Sequence, residues 1–215
     1  MIVLAIDTAG TGCYAALYDS LADTVLGSAG ADIGRGHAER LMEFVDAALD
    51  AADIMLQQVD RIAVTIGPGS FTGIRVGVAA ARGLSLALGV PAVGVSSLAA
   101  LAADRKTGVP LLVAMDAKRD EVYWQSFAVD GAATSPPALA TLAEARDIAA
   151  GHDGMIAGSA AVLLREGAPQ ESDGASIATV ARLGALLEPK DHLPKPLYLR
   201  GPDAKPQAGF AIRRA

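Results

Sequence analysis

The densest candidate chemistry lies in Ile66-Gly67-Pro68-Gly69-Ser70-Phe71-Thr72-Gly73-Ile74-Arg75-Val76-Gly77. A glycine-rich turn between a strand and a helix leaves backbone N–H groups at the positive end of the helix, and these suit an anion. The Gly-Lys-Ser/Thr ending of a P-loop is missing, so a cradle of that type is excluded. A second candidate is Ile6-Asp7-Thr8-Ala9-Gly10-Thr11. An acidic residue at a strand end, followed by a polar turn into a hairpin, can hold a phosphate through N–H groups and hydroxyls, with the carboxylate working through Mg²⁺. Asp7, Thr8, Gly67, Gly69 and Ser70 therefore form the candidate phosphate loop. The structural alternative has equal standing: Asp7 caps a turn and the glycines serve packing.

Other chemistries find less support. His37, His152 and His192 are far apart and none has a second ligand at helical spacing, so no metal site is expected. Ser70, Ser96 and Ser97 lack a nucleophile-elbow context, so serine hydrolysis is not expected. Cys13 is the only cysteine, which rules out an intrachain disulfide and a cysteine zinc site and fits a reducing cytoplasm. No catalytic residue is assigned.

The elements that must position these groups follow from periodicity. Met1–Thr8 reads as a strand, followed by strands over Cys13–Asp19 and Thr24–Ala29 in an antiparallel meander. His37–Ala52 has helical spacing, with Leu41, Val45, Ala48 and Ala52 on one face and Met42 and Leu49 widening it. Arg61–Ile66 is a strand leading into the glycine turn, and a helix runs from Phe71 or Thr72 to Leu88. In that helix Gly73, Gly77 and Ala81 recur every four residues, so another helix, or the chain's own sheet, can approach closely. A strand at Ala92–Val95 and a helix at Ser97–Asp104 follow. The order then restarts with a hairpin, Pro110–Asp116 and Glu121–Val129, turning at Lys118–Asp120. Beyond a Pro/Ala-rich connection at Ala132–Leu139 come a helix at Thr141–Ala150, a strand at Gly154–Ala157 and a last helix at Ser176–Leu187. Each half opens on a strand ending in Asp and a hairpin, which predicts an α/β chain of two related subdomains.

Composition narrows the class. The 215 residues are 52% hydrophobic, 20% charged and only 4% aromatic, so the core is built from Ala, Val, Leu and Ile. The net charge of −6 argues against unaided binding to a nucleic-acid backbone. From Lys190 onward the balance reverses: Lys190, Lys195, Arg200, Lys205, Arg213 and Arg214 face only Asp191 and Asp203. The uncharged run Gly83–Ala103 is long enough to span a bilayer, but Gly89, Pro91, Gly94, Ser96 and Ser97 interrupt it. It reads as helix, strand, helix in a core, with no membrane role. The opening Met1-Ile2-Val3-Leu4-Ala5-Ile6-Asp7 reads as a buried strand and not a signal peptide.

At Gly67–Gly77 the sequence resembles the TsaB (YeaZ) family, and the similarity continues through most of the chain. It includes Ile6-Asp7-Thr8, His37-Ala38-Glu39-Arg40-Leu41 (with Ala38 where the family usually has Ser), Ile62-Ala63-Val64, Pro91–Leu98, Asp116–Tyr123 (with Lys118 where Arg is frequent) and Pro196-Leu197-Tyr198-Leu199-Arg200. The resemblance implies an actin-like, Hsp70-like (ASKHA) fold of two α/β subdomains with mixed sheets. The spans would be 1–105, 106–195 and a basic C-terminal segment 196–215. It implies a cytoplasmic subunit that pairs with TsaD, recruits the ATPase TsaE, and reaches tRNA through that complex. The complex makes threonylcarbamoyladenosine at adenosine 37 of tRNAs reading ANN codons.

The catalytic metal of TsaD sits on two histidines spaced i, i+4, and Ser97 and Leu101 stand at those positions here. The resemblance therefore implies no metal and no catalytic centre in this chain. No cofactor is expected, with ATP and Mg²⁺ bound only weakly or at an interface with partners. The expected partner surface, which would also form a homodimer when the chain is alone, comprises His37, Leu41, Val45, Gly73, Gly77 and Ala81. The alternatives are a glycoprotease-like peptidase and a nucleotide-dependent enzyme of the same fold.

Overall fold

The computed structural model describes residues 1–105 and 108–201. The tail charges at Lys205, Arg213 and Arg214 lie outside the described residues. Strands β1 (Ile2–Asp7), β2 (Gly12–Asp19) and β3 (Thr24–Asp32) form the expected meander. β4 (Arg61–Gly67) and β5 (Ala92–Ser96) extend it in parallel on the other side of β1, in the order β3-β2-β1-β4-β5. The second sheet repeats the scheme. β6 (Leu111–Lys118) and β7 (Glu121–Phe127) form a hairpin, β8 (Ala138–Thr141) adds to it antiparallel, and β9 (Met155–Ala157) runs parallel to β6. The fold is α/β with two mixed sheets, as an actin-like fold requires.

Two-residue alternation explains the layering. Leu4 and Ile6 of β1 and Ile62 and Val64 of β4 face a core built with α1 (His37–Ala52) and α2 (Phe71–Leu88). Val3, Ala5 and Ala63 face the opposite side, against Val180 and Ala181 of α6 (Ile177–Leu186) and Ala100 of α3 (Ser97–Asp104). Leu98 and Leu101 of α3 also pack on Leu111, Val113 and Met115 of β6. One helix therefore lies between the two sheets. The outer face of the second sheet holds Leu112, Ala114 and Ile156 against α4 (Leu142–Ala150) and the short α5 (Ala161–Leu164).

Helix starts are set by side chains. Thr141 and Glu144 form a reciprocal capping box at α4, and Ser70 and Ser176 accept from Gly73 N and Ala178 N at α2 and α6.

Three expectations change. Met42 is 43% exposed, whereas Leu49 on the same face is buried, because the chain returning at Ile54–Leu56 joins its cluster. The Pro/Ala connection hides β8, whose pairing with β7 outweighs the weak strand propensity of Ala-Leu-Ala-Thr. The span 106–195 assigns α6 to the second subdomain, but α6 packs on the first sheet.

Arg61 locks α6 in place. Its half-buried guanidinium donates through Nη1 to the carbonyls of Gly184, Ala185 and Leu187 at 2.9–3.0 Å, in and just beyond the last turn of the helix. Arg61→Ala is expected to lower the unfolding free energy by about 2 kcal/mol in urea titration. An unchanged midpoint would remove that role.

Candidate functional site

The structure brings the two candidate phosphate segments together and packs each against the other. Asp7 is 9% exposed, and its Oδ1 accepts from Ala9 N at 2.9 Å and from Thr65 Oγ1 at 2.6 Å. Burial pushes the Asp7 carboxyl above its ordinary 3.8, against the pull of those bonds and of His37. Thr8 is fully buried and donates its hydroxyl to Gly73 O at 2.7 Å. Ser70 N donates to Ala9 O at 2.6 Å. A Cβ on Gly69 would overlap Ala9 O, and one on Gly73 would overlap Thr8 O. The turn after β1 and the start of α2 therefore meet backbone to backbone. The Ala9 carbonyl, not an anion, occupies the approach to Gly69 and Ser70.

The residues expected to meet a partner lie inside this chain. Leu41 is 2% exposed, Val45 and Ala81 are fully buried, and His37 is 8% exposed with Nε2 3.2 Å from Gly12 O. Gly73 and Gly77 are buried, and a Cβ on Gly77 would overlap Thr8 Oγ1 and press on Val64 Cγ2 at 3.3 Å. The small-residue stripe thus admits the chain's own β1 turn and β4. What α2 turns outward is a different set: Thr72, Ala79, Gly83 and Ala87 are exposed, and Val76 and Ala80 are half-buried. A Cβ on Gly83 would meet nothing within 4 Å. Sequence periodicity identified a small-residue helix but could not assign its two faces, because both carry Gly and Ala.

By length and composition α2 is also the one described helix able to cross a membrane. Gly73, Ile74, Gly77, Val78 and Ala81 are packed into the sheet. The uncharged run beyond it divides into the end of α2, β5 and α3, as expected.

Ser97 and Leu101, the residues at the expected metal positions, both lie on α3. Ser97 Oγ is buried without a protein partner, and Leu101 is fully buried in the core between the sheets. Among the described residues, no three His, Cys, Asp or Glu side chains converge to hold a metal ion.

The second half presents an open counterpart. Asp116, Lys118, Arg119, Asp120, Glu121, Leu142 and Leu163 line a recess of about 240 Å³ at the β6–β7 turn. Lys118, Arg119 and Asp120 all have positive φ, between 58° and 62°, which costs strain in non-glycine residues. Burial raises the Asp116 carboxyl, but hydrogen bonds from the Lys118 side chain and backbone outweigh it and hold the group below its ordinary value. Ser159 Oγ accepts from Asp116 N at 2.8 Å and donates to Asp173 Oδ2 at 2.6 Å. Burial in turn raises the Asp173 carboxyl.

The segment after α6 joins both halves, a role that local periodicity could not reveal. His192 O accepts from Gly94 N on β5, and Leu197 N donates to Ile66 O on β4, each at 2.8 Å. Tyr198 Oη accepts from Arg75 Nε at 2.8 Å. Arg200 Nη2 donates to Ala117 O, to Lys118 O and to the Glu121 carboxylate.

Residues 15–166 match the family model described as TsaD, tRNA N6-adenosine threonylcarbamoyltransferase. An uncharacterized protein of Mycobacterium tuberculosis is 38% identical over 208 residues, covering 96% of this chain and 95% of that protein. The Escherichia coli tRNA threonylcarbamoyladenosine biosynthesis protein TsaB is 38% identical over 133 residues, 60% of this chain and 56% of that protein. The crystal structure of YeaZ from Pseudomonas aeruginosa superposes with a TM-score of 0.75 at 28% identity, covering 92% of this chain and 99% of that one.

Two outcomes test the closed loop. Gly77→Ala is expected to lower the unfolding free energy by about 2 kcal/mol, because the new Cβ has to displace Thr8. Unchanged stability would return Gly77 to the surface. Asp7 is an unfavourable ion in the fold, so the stability it confers is complete below 3.8 and is lost as pH rises through its raised folded value. An amide can still accept from Ala9 N and Thr65. Asp7→Asn should therefore gain on the parent chain with rising pH and lose that advantage below 3.8 in urea titrations. A gap that does not vary with pH would contradict this.

Proposed function

This chain belongs to the TsaD family of tRNA N6-adenosine threonylcarbamoyltransferases, on its TsaB (YeaZ) branch, and from that premise we propose that it is a non-catalytic dimerisation subunit. It pairs with TsaD, and the pair recruits TsaE to transfer a threonylcarbamoyl group to adenosine 37 of tRNAs reading ANN codons. The chain acts in the cytoplasm, reaches tRNA through the complex and pairs with itself when TsaD is absent. One observation carries the pairing: α2 sets one small-residue stripe on its own sheet and turns a second one outward, from Thr72 through Val76, Ala80 and Gly83 to Ala87, beside the exposed Arg75, Arg82 and Leu86. Interaxial distance between packed helices follows side-chain size at the contact, so this face admits a partner helix at close range.

The chemistry of the site supports the absence of catalysis. Ser97 and Leu101, at the positions of the metal-holding histidines, offer one hydroxyl and a methyl-bearing side chain, which do not make a metal site. The same substitution disfavours a chelator-sensitive peptidase. A buried Asp7 that resists ionisation and already accepts two hydrogen bonds is a poor Mg²⁺ ligand, so the chain alone binds ATP weakly or not at all. Micromolar binding of ATP and Mg²⁺ in calorimetry would overturn that part of the reading.

Gly83→Arg tests the surface. A Cβ at this position meets nothing within 4 Å, and replacing an exposed helical glycine raises helix propensity by up to about 1 kcal/mol. The variant is expected to fold with equal or greater stability, to lose co-elution with TsaD and to fail in a reconstituted tRNA modification assay containing TsaD and TsaE. Normal co-elution would place the interface elsewhere.

A further inference from the structure

Three stretches that carry the family resemblance are remote in sequence, and the described structure joins them on one surface. Gly67–Gly77 supplies Phe71 and Arg75, Asp116–Tyr123 supplies the strained β6–β7 turn, and Pro196–Arg200 supplies Tyr198 and Arg200. The Arg75 guanidinium carbon lies 3.6 Å from the Phe71 ring centroid, and its Nε donates to Tyr198 Oη. The Phe71 and Tyr198 rings lie 5.2 Å apart, inclined by 38°. Arg200, two residues on, is seated on the carbonyls of Ala117 and Lys118.

Burial does not account for this cluster. Phe71 is 54% exposed and Tyr198 is 47% exposed, in a chain with only 4% aromatic residues. No carboxylate among the described residues pairs with Arg75, although the chain is acidic overall. Lys195, on the same segment as Tyr198, is also exposed. Two rings held rigid by a shared guanidinium lose little freedom on binding, and their open faces lie beside an uncompensated positive charge.

We propose that Phe71, Arg75 and Tyr198 form a stacking platform for an unpaired nucleobase of RNA, with Arg75 and Lys195 meeting the adjoining phosphates. This inference rests on the reading above that the chain serves tRNA modification. Duplex RNA is recognised by shape, whereas loops present unstacked bases to aromatic rings and guanidinium planes. A tRNA anticodon loop offers such bases next to backbone phosphates. A protein partner would have to bring a carboxylate to Arg75 as well as an apolar group to the rings, and the TsaD co-elution measurement below separates that case.

The test uses the full chain with an in vitro transcribed tRNA that reads an ANN codon, measured alone and in the presence of TsaD. Phe71→Ala and Tyr198→Ala are each expected to weaken tRNA binding by about tenfold, and Tyr198→Phe, which keeps the ring, by less than about twofold. Arg75→Gln is expected to flatten the dependence of affinity on salt by about one phosphate contact. A 4-thiouridine-bearing tRNA should crosslink to the peptides containing Phe71 or Tyr198. Thermal melts show which variants remain folded, and Tyr198→Phe guards against a folding artefact. Equal tRNA affinity of all folded variants, both alone and with TsaD, overturns the proposal. So does loss of TsaD co-elution at unchanged tRNA affinity, which assigns the platform to a protein. Failure of the unaltered chain to join TsaD would instead strike the dimerisation reading, and absence of tRNA binding by the unaltered chain, both alone and with TsaD, would overturn this one.

Discussion

The contact of Thr8 with the first two turns of α2 governs the rest of the N-terminal half. Thr8 Oγ1 donates to Gly73 O, while Gly73 and Gly77 leave no room for a Cβ between the helix and that residue. The approach is possible only with glycine at both positions, one helical turn apart. It seats the helix deep on β1 and β4, closes the turn after Asp7 and decides which face of α2 remains outside. A segment that reads as an anion cradle in isolation becomes a joint between strand and helix.

Much of the fold was legible because its signals are local. Strand alternation, helical spacing and capping residues at Ser70, Thr141 and Ser176 act over a few residues, and the elements lie close to where those signals put them. The site was less legible for a physical reason. Gly73, Gly77 and Ala81 are chemically indistinguishable from Ala79, Gly83 and Ala87 when only spacing is known, and the side facing the sheet is settled by Thr8, sixty-five residues upstream of Gly73. Met42 and Leu49 share a helix face, and only the returning chain at Ile54–Leu56 separates their fates. The contacts of Tyr198 were hidden in the same way, since its hydrogen-bond donor Arg75 lies 123 residues earlier.

The two halves use one design to opposite electrostatic ends. In the first, the strand-end Asp7 is enclosed, accepts from Thr65 and the backbone, and is pushed toward its neutral form. In the second, Asp116 keeps its charge against Lys118 at the mouth of a recess, with Ser159 and Asp173 behind it. The two strand-end carboxyls thus differ in access as well as in charge preference: Asp7 is closed in beneath β4 and α2, and Asp116 faces a recess.

The position of α3 has a mechanical consequence. Its Ala100 belongs to the core of the first sheet, and Leu98 and Leu101 to the core of the second, so a single short helix is wedged between them like a keystone. Because α3 is packed on both sides, a shift of one sheet against the other has to repack Ala100, Leu98 and Leu101. The segment from His192 to Arg200 fastens the same seam from outside. One element inside the molecule and one outside it thus span the seam between the two sheets.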